Sequence, residues 1–381
     1  MQNSKLDSLA KNLGTPIYIY DSKLIRDRCK ELKKNLPGVN LYYACKANTN
    51  PEILKIIHKE GYGIETVSPG EINIAKKAGV PTSKITFTCG SISEKELMSV
   101  VKQGIRVHLD SLHQVEVFGK HFPGKEISVR LNHGIGAGHH PHLITGGPDS
   151  KFGIDISQIR ELKKLAKKYK LRIAGFHQHI GTNILDIPIL LKATFAIFST
   201  ALLFPDLKHL DFGGGFGVPY KIGEKKLDVK KFGQEMNKLT LNFTAKYRRK
   251  VQISFEPGRY LVAEAGNLLV EVNDIKNNPT QTFIGVNSGM NHLVRPAMYG
   301  SYHEVINISS PKGKKKKVTI AGNICESGDV FAKGRLIVKP KVGNILAIKN
   351  AGAYGYSMSS EYNSRPKPRQ FLISKSKLKK I

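Results

Sequence analysis

The stretch NLYYACKANTNPEILKIIHKEGYGIETVS, residues 40–68, decides the fold because it contains one complete strand–helix–strand unit. Apolar, β-forming runs at 40–46 and 61–68 flank the helix-like segment PEILKIIHKE. Alternation of strands and helices is typical of a parallel sheet. The stretch also raises a chemical question, because its first strand ends at Lys46. That lysine is either an ordinary solvated residue at a strand end or an amine placed there to react.

The same unit recurs along the chain. Six further β-rich runs follow at 84–90, 105–111, 126–132, 172–181, 207–215 and 251–259, and helix-like segments separate most of them. Eight such units predict a (β/α)8 barrel, a fold that usually takes about 250 residues. We place this TIM-barrel domain at residues 25–265. A doubly wound open sheet is the alternative architecture.

A second domain follows the predicted barrel. After residue 265 the strand-like segments NLLVEVNDIK, TFIGVNSG, KVTIAG, RLIVKP and NILAIKN succeed one another, with Gly, Asn and Pro turns and no strong helix. This pattern predicts an all-β domain of sandwich or barrel type. The strand TPIYIYDS (15–22) precedes the first barrel unit, so we assign residues 1–24 to this domain together with 266–381.

Charge and composition limit the class of protein. The chain of 381 residues has a formal net charge of +30, which suggests a nucleic-acid partner. Lysines outnumber arginines more than three to one, however, and they lie along the whole chain. Specific nucleic-acid readers depend on arginine and on localised patches. The one dense run, Lys314–Lys317, is predicted to be a hairpin loop, so we expect no specific nucleic-acid partner.

The sequence also indicates a compartment. No stretch approaches 18 apolar residues, so we expect no membrane span. The N-terminal MQNSKLDSLAKNLG lacks the apolar core of a secretory signal. The four cysteines are scattered without CxxC or zinc-site spacing, which favours reduced thiols, no metal site and a cytoplasmic protein.

Polar residues follow the predicted barrel strands, and in this fold the active site lies at the carboxyl ends of the strands. The side chains at these ends include an amine, imidazoles, carboxylates and guanidinium groups. In chain order they are Lys46, Asn48, Glu65, Ser68, Cys89, Asp110, Arg130, Asn132, His177, His179, Glu256 and Arg259.

Two glycine-rich turns lie at the ends of the last two predicted strands. GGGFG (213–217) and EPGR (256–259) can both expose backbone N–H groups to an anion. GGGFG is neither a P-loop, since no GK[ST] follows, nor a dinucleotide fingerprint. Together the turns predict one phosphate held between strands seven and eight, where barrels often bind it.

A phosphate site, a lysine, a histidine and a carboxylate together indicate pyridoxal 5'-phosphate. The lysine binds the aldehyde, and the carboxylate keeps the pyridine nitrogen protonated. Each residue also has an ordinary structural interpretation. Lys46 can be a solvated strand end, His177 and His179 can be core histidines, and Glu256 can pair with Arg259. Jointly, in the order that the barrel requires, the residues favour the cofactor.

With these motifs in place, the chain resembles the fold-type III pyridoxal-phosphate-dependent decarboxylases of the alanine-racemase-like family. The segments that carry the resemblance run in family order from about residue 15 to 366. They are YYACKAN, GIETVSPGEI, TGGPDSKFGI, HQHIGTNI, LDFGGGFGVPY, EPGRYLV, RPAMYGSYHEV, CESGDVF and GAYGYSMSSEYNSRP.

CESGD, RPAMYGSYH and YNSRP resemble the members that convert meso-2,6-diaminopimelate to L-lysine and CO2, rather than ornithine or arginine decarboxylases. The resemblance therefore implies the last step of lysine biosynthesis. The chain departs from the family at Glu65, where aspartate is more usual.

The resemblance implies a role for each matching cofactor residue. Lys46 would form the Schiff base, His179 would stack on the ring, and Glu256 would pair with the pyridine nitrogen. The phosphate would be held by backbone at Gly214, Gly215, Gly217, Gly258 and Arg259.

It implies substrate-binding residues as well. Arg259, Arg295 and Tyr299 would bind substrate carboxylate, and Tyr354 would close over cofactor and substrate. Cys325 and Glu326 would reach the partner's site in a homodimer with shared active sites. Cys325 or Lys46 would then protonate the reacting carbon, and Glu326 would bind the distal amino group.

Three alternatives remain open. One is a decarboxylase of D-ornithine or D-lysine on the same scaffold, which would need no clamp by Arg295 on the substrate tail. A non-catalytic pyridoxal-phosphate-binding homologue is the second, although such a protein needs no protonating Cys325. A nucleic-acid-binding protein is the third, and it predicts steeply salt-dependent binding.

Overall fold

The structure is a computed structural model that describes residues 2–138, 145–147, 149–375 and 377–381, so Pro148 of the TGGPDSKFGI motif lies outside it. The strands within the described residues are, in chain order, β1 Ile17–Asp21, β2 Asn40–Ala44, β3 Gly63–Thr66, β4 Ile85–Thr88, β5 Arg106–Leu109, β6 Glu126–Asn132, β7 Ile154–Asp155, β8 Arg172–His177, β9 His209–Asp211, β10 Gln252–Phe255, β11 Gly266–Asn277, β12 Thr282–Val286, β13 Val305–Asn307, β14 Lys315–Ala321, β15 Val330–Val338, β16 Ile345–Ile348, β17 Arg369–Ser374 and β18 Lys377–Lys380.

The helices of the same residues are α1 Asn3–Leu13, α2 Ser22–Asn35, α3 Pro51–Lys59, α4 Pro69–Lys77, α5 Glu94–Val101, α6 Leu112–His121, α7 Ile159–Lys168, α8 Ile187–Ala201, α9 Val229–Tyr247, α10 Arg259–Val262 and α11 Arg295–Tyr299. The chain divides into two compact units. The barrel unit comprises Arg28–Val218 and Lys226–Gly258, and the sheet unit comprises Met1–Asp27, Pro219–Lys225 and Arg259–Ile381. The sequence-based boundaries at 24 and 265 stay a prediction.

The barrel unit contains the closed parallel barrel that the strand–helix alternation predicts. Its strand order is β2-β3-β4-β5-β6-β8-β9-β10, and β10 pairs with β2 to close the ring. Every neighbouring pair in the ring is parallel. The (β/α)8 barrel is therefore confirmed, and the open doubly wound sheet is wrong.

Local sequence explains why the barrel helices begin where they do. Helices α3 to α6 each start after a polar residue whose side chain accepts a hydrogen bond from a backbone N–H of the first turn. The capping residues are Asn50, Ser68, Ser93 and Ser111. Each such cap stabilises its helix by about 1 kcal/mol. These caps fix the turns that follow strands β2 to β5, and therefore the loops that carry functional side chains.

The sheet unit is mostly β, as the run of strands after residue 265 predicts. Its main sheet has the order β15-β14-β12-β11-β1-β17-β18, and β16 joins β11 to β13. Strand β1 lies between β11 and β17, so the expectation that TPIYIYDS joins the C-terminal sheet is confirmed. A buried apolar cluster that includes Leu6, Ile17, Leu269 and Phe371 forms its core.

One local prediction is wrong. Lys315, Lys316 and Lys317 do not form a hairpin loop, because they are the first residues of β14 and pair with Val338, Ile337 and Leu336 of β15. Lys315 and Lys317 are exposed, so solvated lysine side chains suit this strand end. Within the residues that the structure describes, no helix combines the length and the apolar character needed to cross a membrane.

Candidate active site

Lys46 lies in a short turn of 3₁₀ helix, Cys45–Ala47, directly after β2. Its Nζ is 3.0 Å from Oε2 of Glu65, which is on the neighbouring strand β3. The Lys46 side chain is 36% exposed, whereas that of Glu65 is 1% exposed. The amine is therefore neither fully buried nor an ordinary solvated lysine, and a buried carboxylate directs it.

Glu256 follows β10 and is buried. Its Oε2 lies 3.1 Å from Nε2 of His177, while its Oε1 has no hydrogen-bond partner in the described part of the chain. Burial and the nearby carboxylates of Asp211 and Glu65 raise the pKa of Glu256 well above its usual range. A positively charged hydrogen-bond donor placed against Oε1 would reverse this penalty.

Histidines line the barrel interior beside Glu256. The ring of His177 on β8 stacks on that of His108 on β5, with centroids 4.7 Å apart. Because β6 separates these two strands in the sheet, the rings meet only by pointing inward. Burial lowers the pKa of both histidines well below the usual value. His177 is therefore neutral and can donate its Nε2 proton to Glu256.

Asp211 at the end of β9 adds a second buried acid. Its Oδ1 accepts a hydrogen bond of 2.9 Å from the Gly213 N–H, and burial raises its pKa to about 7. His108, Asp211 and Glu256 each present a ligand atom within 4.8 Å of the others. Three buried groups at this spacing can share protons as well as bind a cation, so the cluster does not by itself indicate a metal.

His179 lies beside the glycine-rich turn. Its Nδ1 accepts a hydrogen bond of 3.1 Å from the Gly214 N–H, which leaves Nε2 as the protonated nitrogen of the neutral ring. Burial and the positive charges of Lys46 and Arg130 lower the pKa of His179 well below its usual value. A neutral, half-buried imidazole in this position offers a flat face to a bound ring.

The turn Gly213–Gly217 requires glycine for steric reasons. A Cβ on Gly214 would lie 2.4 Å from the Glu256 carbonyl oxygen, and Gly215 has a φ of +101°. At Gly217 a Cβ would lie 2.8 Å from Asn183. The backbone of this turn therefore packs directly against the chain around Glu256.

Backbone donors at the two turns bear on the phosphate prediction. Gly217 N–H donates to the Ile184 carbonyl, and Gly214 N–H donates to His179. Gly215 and Gly258 lie outside regular structure, and their N–H groups donate no hydrogen bond within the described ranges. The N–H groups of Gly215 and Gly258 can therefore bind an anion, whereas those of Gly214 and Gly217 already have acceptors.

These features test whether the residues fit pyridoxal phosphate. The orphaned Glu256 oxygen suits a protonated pyridine nitrogen, and the Lys46 amine suits an aldehyde. The N–H groups of Gly215 and Gly258 suit a phosphate, and His179 suits a ring face. The barrel residues therefore fit the cofactor.

Arg130 belongs to the same strand ends but has no role in the sequence-based assignment. It is buried on β6, and its guanidinium is 3.2 Å from the Asp110 carboxylate at the end of β5. The guanidinium also lies over the Phe152 ring, 4.6 Å from its centroid. The order of strand ends indicated Arg130 and Asp110, but only the fold shows that they pair.

In the sheet unit, Arg259 begins α10, Arg295 begins α11, and both are buried, with 4% and 1% of their surface exposed. Tyr220 lies between them. Its hydroxyl accepts a hydrogen bond of 2.8 Å from Arg259 Nη1, and the Arg295 guanidinium lies 4.8 Å from its ring centroid. Tyr354, with a φ of 56°, holds its ring 4.8 Å from the Arg259 guanidinium.

The prediction that Arg259 and Arg295 act together is consistent with this packing. Tyr299, which ends α11, is half-buried four residues beyond Arg295. Tyr220 has no role in the sequence-based assignment, although it is the last residue of the motif LDFGGGFGVPY. The available signal was a tyrosine at the end of a motif in which Asp211 is the one other residue that is neither glycine nor apolar.

The CESGD motif forms an exposed loop in the sheet unit. Asp329 anchors it by accepting hydrogen bonds from the Ile324 N–H at 2.7 Å and the Met290 N–H at 2.6 Å. Cys325 and Glu326 are exposed, and Tyr362 of the YNSRP motif donates a hydrogen bond to Glu326. Two motifs that are distant in sequence thus form one exposed cluster.

Comparison with known proteins gives consistent results. Residues 22–263 match the family described as "Pyridoxal-dependent decarboxylase, pyridoxal binding domain". The diaminopimelate decarboxylase of Methanothermobacter thermautotrophicus is 39% identical over 97% of this chain and 89% of its own length. That of Aquifex aeolicus is 37% identical over 100% of this chain and 92% of its own.

A solved structure is similar over the same extent. The crystal structure of the M. jannaschii diaminopimelate decarboxylase, in complex with L-lysine, superposes with a TM-score of 0.91 at 31% identity. The superposition covers 98% of this chain and 91% of that chain. The likeness therefore extends over the barrel strands and over the strands that follow them.

Proposed function

The chain belongs to the diaminopimelate decarboxylase family of pyridoxal-dependent decarboxylases, and we propose that it converts meso-2,6-diaminopimelate to L-lysine and CO2. The observation that carries the proposal is the buried Glu256 carboxylate, which has one oxygen held by His177 and the other without a partner among the described residues. Lys46 and His179 follow strands of the same barrel.

Bound pyridoxal phosphate supplies an aldehyde that captures an amine and a ring that accepts the electron pair left by CO2. Lys46 would hold the cofactor through its amine, and Glu65 directs that amine. Glu256 would accept the hydrogen bond of the pyridine nitrogen and keep that nitrogen protonated. His179 would cover the ring face and exclude water from it.

Backbone groups would hold the phosphate. The N–H groups of Gly215 and Gly258 donate no hydrogen bond within the part of the chain that the structure describes, and the Arg259 N–H begins a helix. Gly214 and Gly217 keep the turn close to the strand ends.

Substrate recognition needs partners for both charged ends of diaminopimelate. Arg259, Arg295 and Tyr299 would bind the carboxylate that is retained in lysine, and Tyr354 would cover cofactor and substrate. Glu326 would bind the distal ammonium, and Cys325 or Lys46 would deliver the proton to the carbon that loses CO2. Unpaired charges would penalise a substrate that lacks either distal group.

The proposed test is lysine formation by purified protein with pyridoxal phosphate and meso-diaminopimelate. D-lysine is the parallel substrate, and Lys46→Ala is the control. We expect lysine with the wild type alone, together with loss of the covalent cofactor absorbance in Lys46→Ala. Cadaverine from D-lysine with diaminopimelate unchanged would instead indicate a D-amino-acid decarboxylase. Bound cofactor with neither product would indicate a non-catalytic homologue.

We also propose a homodimer with shared active sites in which Cys325 and Glu326 serve the partner's site. Their exposure supports this proposal, because side chains that serve another subunit are exposed in a single chain. Equal amounts of Lys46→Ala and Cys325→Ala protein, mixed and allowed to exchange subunits, should recover about a quarter of wild-type activity, since half of the dimers then contain one intact site. No recovery, despite verified exchange, would place Cys325 in its own chain's site.

The cellular compartment is a further proposal. Cys29, Cys45, Cys89 and Cys325 are all free thiols. Four unpaired cysteines suit a reducing environment, so we propose a cytoplasmic enzyme. Fractionation of cells that express the protein, followed by thiol titration, would test this location.

A further inference from the structure

Tyr220 lies at the centre of the buried arginine pair, and nothing in the reaction chemistry requires a tyrosine there. Its hydroxyl oxygen accepts from Arg259 Nη1 at 2.8 Å. The same ring has the Arg295 guanidinium 4.8 Å from its centroid and the Arg259 guanidinium 5.7 Å away. One side chain therefore contacts both cations through its hydroxyl oxygen and its aromatic ring.

The second contact of Arg295 is also neutral. Its Nη1 lies 2.9 Å from Nε2 of His303, and His303 Nδ1 lies 2.8 Å from the Lys349 carbonyl oxygen. A guanidinium can only donate, so His303 Nε2 is the acceptor and Nδ1–H donates to the carbonyl. Burial and the Arg295 charge lower the pKa of His303 to about 3, which keeps this acceptor neutral.

The positive charge of Arg295 is consequently not neutralised by these two contacts. Among the described residues, no carboxylate lies within salt-bridge distance of Arg295. Burial and the neighbouring Arg259 lower the pKa of Arg295. Although burial raises the pKa of Tyr220, the two guanidinium groups together lower it below the usual value. Arg295 thus keeps a buried positive charge that an anion would balance.

We infer that Tyr220 is a positioning residue, which holds Arg259 and Arg295 in the orientation that binds the carboxylate retained in the product. This inference rests on the proposed function, since it assumes that the pair binds that carboxylate. By fixing one N–H of Arg259 and the plane of Arg295, Tyr220 sets the orientation of both guanidinium groups before substrate arrives. It therefore determines selection for ligands that carry a distal carboxylate.

A purely structural role makes a different prediction. If Tyr220 only fills space, its substitution would lower the stability of the protein and weaken the binding of all ligands to the same extent. If Tyr220 is a positioning residue, its substitution instead weakens the binding only of ligands that carry the carboxylate. L-lysine and cadaverine separate the two roles, because cadaverine is the same diamine without the carboxylate.

The experiment uses the holoenzyme. Wild type, Tyr220→Phe and Tyr20→Phe are titrated with L-lysine and, separately, with cadaverine, and binding is followed by the absorbance of the bound cofactor. Tyr20→Phe is the matched control, since Tyr20 is a buried tyrosine of the same unit whose hydroxyl lies 3.1 Å from Gln370 Oε1. The kcat and KM for meso-diaminopimelate and the thermal midpoint are measured in parallel.

In Tyr220→Phe we expect the Kd for lysine and the KM for diaminopimelate to rise about tenfold, which is the effect of losing one hydrogen bond to a charged group. We expect the cadaverine affinity, the cofactor affinity and kcat to change less than about twofold. Tyr20→Phe should leave the ratio of the two ligand affinities unchanged.

Other outcomes have distinct meanings. If the wild type binds lysine more tightly than cadaverine and Tyr220→Phe shows the same ratio of affinities, the role of Tyr220 is overturned. The proposed function then still stands. Equal weakening of both ligands would reduce Tyr220 to a structural residue. If the wild type binds lysine no more tightly than cadaverine, the arginines do not bind the carboxylate. The inference about Tyr220 is then overturned as well. Should Tyr220→Phe fail to fold, Tyr220→His keeps a ring and an acceptor, and loss of its lysine preference would contradict the inference.

Discussion

The barrel unit and the sheet unit both bury charged side chains, but they balance the charge in different ways. At the carboxyl ends of the barrel strands, two cations each face an acid. Lys46 is 3.0 Å from Glu65, and Arg130 is 3.2 Å from Asp110. In the sheet unit, Arg295 contacts a histidine nitrogen and a tyrosine ring, which are neutral acceptors.

This difference corresponds to different ligand chemistry. Mixed charges at the barrel end suit a cofactor that brings a cationic ring nitrogen, an aldehyde and a phosphate. Unbalanced positive charge in the sheet unit suits an anionic group of the substrate. Since burying an uncompensated charge costs several kcal/mol, Arg295 is expected to contribute its full binding free energy only when a carboxylate is present.

The largest expected effect concerns Glu256, a buried carboxylate of the barrel unit. Glu256→Gln keeps the size of the side chain but removes the negative charge beside the pyridine nitrogen. We expect kcat to fall at least about a hundredfold, since a neutral amide cannot keep that nitrogen protonated. The 15N chemical shift of the pyridine nitrogen in labelled pyridoxal phosphate would report the protonation directly. A protonated nitrogen in Glu256→Gln would contradict the assignment.

The next largest effect concerns Arg295, a buried cation of the sheet unit. Arg295→Lys retains the charge but cannot contact both His303 and Tyr220 with a planar group. We expect KM for diaminopimelate to rise about thirtyfold and kcat to change less than about threefold. Arg335→Lys is the control, because Arg335 also lies over an aromatic ring, that of Tyr302 at 3.4 Å. An equal rise of KM in both variants would remove the special role of Arg295.

The two regions also differ in how far the sequence predicts them. The barrel and the position of Lys46 follow from strand–helix alternation, because the fold brings all strand ends to one face. The partners of these residues do not follow, since the pairing of Glu256 with His177 depends on which side chains point inward. The Tyr220 cluster is harder still, because residues 220, 259, 295 and 303 come together only in the folded sheet unit.

Asp211 offers a test of the charge balance in the barrel by pH. Its pKa of about 7 lies above the usual 3.8, so the folded state binds the proton more tightly than the unfolded state. The stability that this adds is fully present below about pH 4 and is lost as the pH rises through 7. The groups that act on this carboxyl are Glu65, Glu256, Arg106 and the Gly213 N–H.

In cofactor-free protein, we therefore expect the free energy of unfolding of the wild type, relative to Asp211→Asn, to fall by about 3–4 kcal/mol between about pH 4 and pH 8. Denaturant unfolding at both pH values measures the difference. Asp206→Asn is the control, because Asp206 is exposed and pairs with Arg249 at the surface. A constant difference across this pH range would show that Asp211 is ionised in both states.

The smallest expected effect concerns Glu65, the buried carboxylate that faces Lys46. Glu65→Asp shortens the side chain by one methylene and lengthens the 3.0 Å contact with Lys46 Nζ. Because Lys46 is partly exposed, water can replace part of the lost contact. We expect the cofactor affinity to fall about threefold in Glu65→Asp, as measured by equilibrium dialysis.

Glu65→Gln separates the charge of this side chain from its length. We expect this variant to lose more affinity than Glu65→Asp, since it keeps the length of the side chain but loses the charge that faces the amine. Unchanged affinity in Glu65→Asp, together with lower affinity in Glu65→Gln, would show that the charge matters and the length does not. Wild-type affinity in both variants would show that Glu65 does not direct the amine, and the orientation of Lys46 would then depend on the cofactor alone.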